Sequence, residues 1–271
     1  MLVDGYGRTI DYLRVSVTDR CNLRCVYCMP EEGVALRRHA DLLTYEQIAA
    51  VVRAGAGLGI GRVRLTGGEP LVRRGIEALV AMLRPIPGLR EISMTTNGIL
   101  LTSSKAQVLR EAGLDRLNIS LDTLDPARYA QITRGGEIAA ALAGIEAARN
   151  AGFGRIKINM VVFEATTPRE REAMETFCRG RGLELQTIRH FTLARRDHES
   201  LHPPVCDRPL PCDRCDRVRL TADGFLKPCL HSDIEIPVDF SDIEGSFAAA
   251  VGAKPEEGTS CSGRTMGEIG G

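Results

Sequence analysis

Residues 13–30 read LRVSVTDRCNLRCVYCMP. The first six alternate apolar Leu13, Val15 and Val17 with polar neighbours, the period-two pattern of a strand. Cys21, Cys25 and Cys28 then fall at C-x3-C-x2-C. In a β/α barrel the loops after the C-terminal strand ends carry function, so this placement marks a site. Zinc motifs favour C-x2-C pairs and four ligands, and no nearby His or fourth Cys completes this set. Iron–sulfur clusters are held by thiolates, and three thiolates leave one iron open to another ligand.

Outward from that stretch, short β-branched runs alternate with helix-period segments. Strands are expected at 13–18, 62–66, 91–96, 116–121, 155–163 and 183–191. Helices are expected at 44–59 behind a Thr44 cap, then at 75–84, 104–112, 126–132, 137–150 and 169–180. Six β/α units imply a parallel sheet with right-handed crossovers. They are too few for a closed eight-stranded barrel, so the expectation is an α/β fold, a partial (βα)6 TIM-type barrel over residues 1–192. The alternation then stops. Residues 193–211 hold four prolines and read as a loop or linker, 218–230 as a hairpin turning at Asp223-Gly224, and 252–271 as a tail rich in Gly and Ser. Residues 193–271 therefore form a small C-terminal extension.

The 271 residues are 44% hydrophobic, ample for a packed core, and 35 Lys and Arg balance 35 Asp and Glu. Neutral charge gives no sign of a nucleic-acid or membrane partner, and no apolar run is long enough to span a bilayer. The first 20 residues lack a signal-peptide core, so the expected compartment is the cytoplasm. Nine cysteines in a reducing compartment read as metal ligands or catalytic groups, not as a disulfide framework. Cys212, Cys215 and Cys229 form a second set, C-x2-C-x13-C. Its spacing suits zinc and iron–sulfur equally, with Cys206, His231 or Cys261 as a fourth ligand. Cys178 reads as a small buried hydrophobe, and His198 and His202 as members of a polar loop. TGGEP (66–70) ends the second strand, where a Gly-Gly backbone permits close approach and leaves amides free for an anion.

DRCNLRCVYCMP, with aromatic Tyr27 before its last Cys, resembles the cluster motif of the radical SAM superfamily, and TGGEP matches as well. LRVSVTDRCNLRCVYCMP, RVRLTGGEPLVRR, TTNGILL, AGLDRLNISLDTLD, IKIN, CDRCDRVRLTADGFLKPCL, KP (254–255) and RTMGEIGG (264–271) together resemble the GTP 3′,8-cyclase family of molybdenum-cofactor biosynthesis, the MoaA family. The resemblance implies a barrel of the radical SAM type and two [4Fe-4S] clusters. One sits on Cys21, Cys25 and Cys28 with S-adenosylmethionine on its open iron, and the auxiliary one on Cys212, Cys215 and Cys229 meets the guanine of GTP. It further implies S-adenosylmethionine contacts at Tyr27, Gly68 and Ser120, with Asn118 on the same face as Ser120. GTP contacts are implied at Arg14, Arg64, Thr95, Lys157, Arg217, Val218 and Arg219. Arg217, Arg219 and a Gly270-Gly271 tail reaching into the site would carry catalysis. An R-x-R on a strand puts both guanidinium groups on one face, and Arg suits phosphate. The implied reaction converts GTP to 3′,8-cyclo-7,8-dihydro-GTP through a 5′-deoxyadenosyl radical that takes hydrogen from C3′. The implied partners are GTP and an electron donor such as a flavodoxin or ferredoxin, with a homodimer as the assembly to test.

The resemblance breaks at two places. The family carries an acidic residue and a Met after its sixth strand, where Thr192 and Ala194 stand here. A longer Gly-rich stretch is replaced by RRDHESLHPPVCDRPLP (195–211), in which Cys206 would close the auxiliary cluster if it were a fourth ligand. Two alternatives remain beside the cyclase: a radical SAM enzyme acting on another substrate such as a peptide, and a zinc-binding structural module.

Overall fold

The computed structural model of the protein describes residues 1–193 and 211–270. Its framework is a nine-stranded sheet. β1 (Tyr12–Ser16) leads by α1 (Tyr45–Gly57) to β2 (Arg62–Thr66), and α2 (Ile76–Leu83) leads to β3 (Glu91–Thr96). α3 (Ser103–Glu111) then reaches β4 (Arg116–Ser120), and α4 (Pro126–Thr133) with α5 (Ile138–Asn150) reaches β5 (Ile156–Val162). α6 (Pro168–Arg179) precedes β6 (Glu184–Arg189). The starts of these helices are written locally: Thr44 and Gln47 form a capping box on α1, Thr167 and Glu170 another on α6, and Asp125 caps α4 ahead of Pro126.

Strands β1 to β6 run parallel in the order β6-β5-β4-β3-β2-β1, as the β/α alternation implied. The C-terminal hairpin does not stand apart. β7 (Arg217–Leu220) pairs parallel with β1, then β8 (Phe225–Lys227) and β9 (Ile236–Pro237) follow antiparallel. The sheet stays open between β6 and β9.

Strand alternation decides what faces where. Leu13, Val15, Val63, Leu65, Ile92, Met94, Leu117, Ile119, Val218 and Leu220 point outward into the core beneath the helices. Tyr12, Arg14, Arg64, Thr95, Ser120, Lys157, Asn159, Arg217 and Arg219 point inward and line a cavity of about 390 Å³. The polar inner face leaves the barrel interior as a chamber, and the fold's hydrophobic stabilisation resides in the outer layer.

Two helices depart from the sequence expectation, one lying ahead of the Gly- and Ser-rich tail and the other within it. α7 (Ile243–Gly252), capped by Asp242, packs on α1, with Phe247 fully buried beside Gly55. α8 (Met266–Ile269) starts at a Thr265–Glu268 capping box and buries Ile269. A run of small residues gives α7 a weak periodic signature, and α8 is a single turn fixed by its cap. Cys178 is buried in the core against α6's neighbours, as read from the sequence. Phe247→Ala removes the side chain that joins α7 to α1 and should lower unfolding stability by about 3–5 kcal/mol, read by urea denaturation.

Candidate functional site

The cysteine loop follows β1 and is gripped from two sides. Arg24 N and Val26 N donate to the carbonyls of Thr133 and Ile132, the otherwise orphaned C-terminal acceptors of α4. Arg134, held at φ 54°, sends its guanidinium to the carbonyls of Arg24 and Met29 at 3.0 and 2.9 Å. On the other side, Cβ atoms at Gly67 and Gly68 would lie 2.5 Å from Thr18 O and 2.4 Å from Arg20 O. The glycines therefore serve close approach to the cysteine loop. Two amides of this turn are not left for an anion: Gly68 N donates to Thr18 O and Glu69 N to Arg20 O, both at 2.8 Å. That corrects one sequence expectation, because the loop consumes the donors.

The three thiols face one cavity together. Burial, with Glu69 and Cys25 nearby, pushes Cys21 up to about 11. Its hydrogen bond to Cys25, then burial and the other two sulfurs, holds Cys28 well above the ordinary thiol value. Three thiolates gathered at one cavity need a compensating cation. An iron–sulfur cluster, which spreads its thiolates over several irons, would supply it, and the three-sulfur donor set fits such a cluster.

Two carboxylates flank this loop, and the sequence reading named neither. Glu69 is 1% exposed and accepts from Thr96 Oγ1 (2.7 Å), Asn97 N (2.7 Å) and Leu71 N (3.0 Å). Burial still pushes it up to about 7. Asp122 accepts Tyr27 Oη and Val161 N at 2.8 Å each, and burial pushes it up to about 6. Tyr27 thus ties the cysteine loop to the ends of β4 and β5. GGEP and SLDTLD contain these residues, but burial is not visible in a motif.

Deeper in the chamber, strand register makes a row of cations. Arg64 lies beside Arg14 and Arg14 beside Arg219, on β2, β1 and β7. Neighbouring strands are about 4.8 Å apart, so the three charges stack closely. Around the Tyr12 ring, the guanidinium groups of Arg62, Arg64 and Arg217 sit 5.0, 5.4 and 5.8 Å from its centroid. Burial, then Arg219, Arg64 and Arg217, hold Arg14 well below its usual value. Burial and Arg217 push Arg219 down to about 10. Such a row is stabilised by a polyanion. Lys157 joins it from β5, 3.4 Å from Glu184. Thr95 Oγ1, both amide atoms of Asn118 and Asn159 Oδ1 are buried without hydrogen bonds. Ser120 lines the same chamber, whereas Val218 turns its side chain outward into the core, 1% exposed. Only the backbone of Val218 is left to meet a ligand.

The second cysteine set lies beside this row. Cys215 N donates to Cys212 O at 3.1 Å, and Lys254 Nζ lies 3.4 Å from Cys215 Sγ. Burial raises the Cys215 thiol, but Lys254, the Arg217 amide and the Arg217 charge bring it below the ordinary value. Cys229 is raised by burial and feels the Cys215 and Cys212 sulfurs. A Cβ at Gly258 would sit 2.6 Å from Cys229 Sγ. Cys261 is turned to Lys227 and Asp233, and His231 packs its ring 5.4 Å from Phe191. Cys206, Ala194, His198, His202 and Gly271 lie outside the described residues. Gly270 is described: its carbonyl accepts Arg219 Nη1 at 3.0 Å, and a Cβ there would lie 2.1 Å from Thr66 Oγ1. Met266 and Gly267 close the chamber wall, with Gly267 against Met29.

The radical SAM superfamily model matches residues 15–178. The chain is 41% identical to the GTP 3′,8-cyclase of Petrotoga mobilis, over 92% of this chain and 89% of that one. It is 41% identical to that of Moorella thermoacetica, with 99% of both chains covered. The alignment to the Pelotomaculum thermopropionicum GTP 3′,8-cyclase, 39% identical over 99% of each, runs over 324 positions against 271 residues here. This chain is thus a shortened relative. Among solved structures, Streptococcus suis SuiB bound to S-adenosylmethionine aligns at TM-score 0.70 and 13% identity, over 91% of this chain and 64% of SuiB. Native anSMEcpe with bound AdoMet aligns at 0.63 and 15%, over 90% and 81%. These two share the fold.

Asp122 generates a pH prediction. Its native carboxyl keeps a proton up to about pH 6, while the unfolded one releases it near 4. The folded state then holds the extra proton, so this group makes stability fall as pH rises from about 4 to about 6. Asp122→Asn should flatten that slope, by about 2–3 kcal/mol across the window, in melting curves recorded against pH.

Proposed function

Because the chain belongs to the radical SAM superfamily and, within it, to the family of GTP 3′,8-cyclases, we propose that it converts GTP to 3′,8-cyclo-7,8-dihydro-GTP, the first step of molybdenum-cofactor biosynthesis. On this reading Cys21, Cys25 and Cys28 hold one [4Fe-4S] cluster and Cys212, Cys215 and Cys229 a second. When bound, the first supplies the electron that cleaves S-adenosylmethionine to methionine and a 5′-deoxyadenosyl radical, which takes hydrogen from C3′ of GTP. A flavodoxin or ferredoxin serves as electron donor.

The observation that carries the substrate assignment is the row of Arg64, Arg14 and Arg219, with Arg217 beside it, lining one cavity in which Arg14 and Arg219 are buried and Arg64 and Arg217 partly so. These groups depress one another, and a triphosphate brings the opposing charge that lets them stay buried together. Lys157 adds a further cation and Thr95 a hydroxyl for the sugar or phosphate oxygens. S-adenosylmethionine carries an ammonium and a sulfonium, and either relieves the cost of ionising buried Glu69 next to Cys21. Tyr27, Gly68 and Ser120 surround that end of the chamber. Arg219 holds Gly270, which places the tail between the Thr66–Gly67 turn and the nucleotide's arginines.

The test is anaerobic protein with both clusters, S-adenosylmethionine, reductant and GTP, analysed for 5′-deoxyadenosine and cyclised nucleotide. Arg217→Ala and Arg219→Ala should each weaken GTP binding about 10- to 100-fold, read by calorimetry, as expected for loss of a charge-assisted contact. Deleting Gly271 should leave GTP bound and abolish the cyclised product. 5′-Deoxyadenosine formed with no nucleotide product would reject GTP as substrate while keeping the superfamily chemistry.

A further inference from the structure

KP (254–255) was singled out in the sequence, and the reaction described above gives it no part. Lys254 follows α7 and is 4% exposed. Its ammonium donates at 2.8 Å to Arg217 O, at 2.6 Å to Pro228 O, and at 3.4 Å to Cys215 Sγ. The two carbonyls belong to the segments that carry Cys215 and Cys229. One side chain therefore spans both segments and aims its third donor at a sulfur. The loop it belongs to is fixed in turn. Arg8 donates to Pro255 O (2.6 Å), Glu256 O (2.8 Å) and Cys212 O (2.8 Å), and Asp4 pairs with Arg8 at 2.6 Å.

A buried ammonium needs a compensating anion as well as carbonyl dipoles. Among its three hydrogen-bond acceptors, the one able to carry negative charge is the Cys215 sulfur. At the first cysteine set the corresponding bond is weaker in kind: Cys21 Sγ accepts from the Leu23 amide at 3.4 Å. We propose that Lys254 is a positioning residue that sets the reduction potential of a cluster held by Cys212, Cys215 and Cys229. This rests on the reading that those thiolates carry an iron–sulfur cluster. Reduction adds negative charge to a cluster, and a hydrogen-bonded cation at one of its sulfurs stabilises the reduced form. Lys254 therefore raises the potential of the second cluster and leaves the first unaffected.

The test uses anaerobically reconstituted full-length holoprotein, with iron and zinc analysis and a redox titration followed by EPR. Lys254→Met should lower the reduced-to-oxidised ratio of the second cluster about tenfold at fixed potential, about 59 mV for a one-electron couple, with the first cluster unmoved. Lys254→Gln keeps a donor and loses the charge, so it should shift less. Lys254→Arg should lie nearest the parent protein. An unchanged midpoint in a fully iron-loaded Lys254→Met protein overturns the proposal, as does an equal shift of both clusters. Loss of iron from the second site in both neutral variants also overturns it, by making Lys254 a folding residue. A parent protein with zinc or no iron at Cys212, Cys215 and Cys229 defeats the underlying reading instead. GTP takes no part in the measurement, so the substrate assignment is tested separately.

Discussion

Like charges do not gather in a protein interior without something to hold them there. Arg64, Arg14 and Arg219 stand side by side on three adjacent strands, with Arg217 one step below. Each makes its neighbours costlier to keep charged. The sheet supplies the scaffold that forces this proximity, because its outer face is locked into the apolar layer under the helices. Slipping any one strand by a residue would turn its arginines into that layer. The register that secures the core is thus the same register that assembles the anion site.

The two cysteine sets sit at different places along this chamber and are built differently. The first is a local loop, gripped by α4's terminal carbonyls and by the glycine pair that lets Thr18 and Arg20 come close. The second is drawn together from Cys212, Cys215 and the distant Cys229, with Lys254 and Arg8 as cationic ties. Tyr27 and Asp122 join the first loop to β4 and β5, and Arg219 joins the second region to Gly270. What lies between is a polar chamber lined by the inner face of the open sheet.

Much of this was legible in the residues. Six β/α units, the capping residue Thr44, the R-x-R of Arg217 and Arg219 on one face, and the cysteine spacing all act over short range. What escaped depends on distant partners. Nothing local in RVRL says that it will pair with YLRV, more than 200 residues earlier, and so set Arg219 against Arg14. The amides of TGGEP look available until the cysteine loop is folded against them. Val218 sits inside a matched block, yet its side chain obeys strand alternation and turns away. Glu69, Asp122 and Lys254 matter because they are buried, and burial is a property of the whole fold.

Arg8 gives these contacts a topological meaning. Its guanidinium reaches Cys212 and Glu256, 204 and 248 residues along the chain. Cys21, Cys25 and Cys28 span a loop of eight residues, whereas Cys212 and Cys229 are held from the other end of the chain. Closing a longer loop costs more chain entropy, by an amount that grows slowly with its length. The first sulfur set therefore depends on one loop, and the second on the two ends of the chain being brought together.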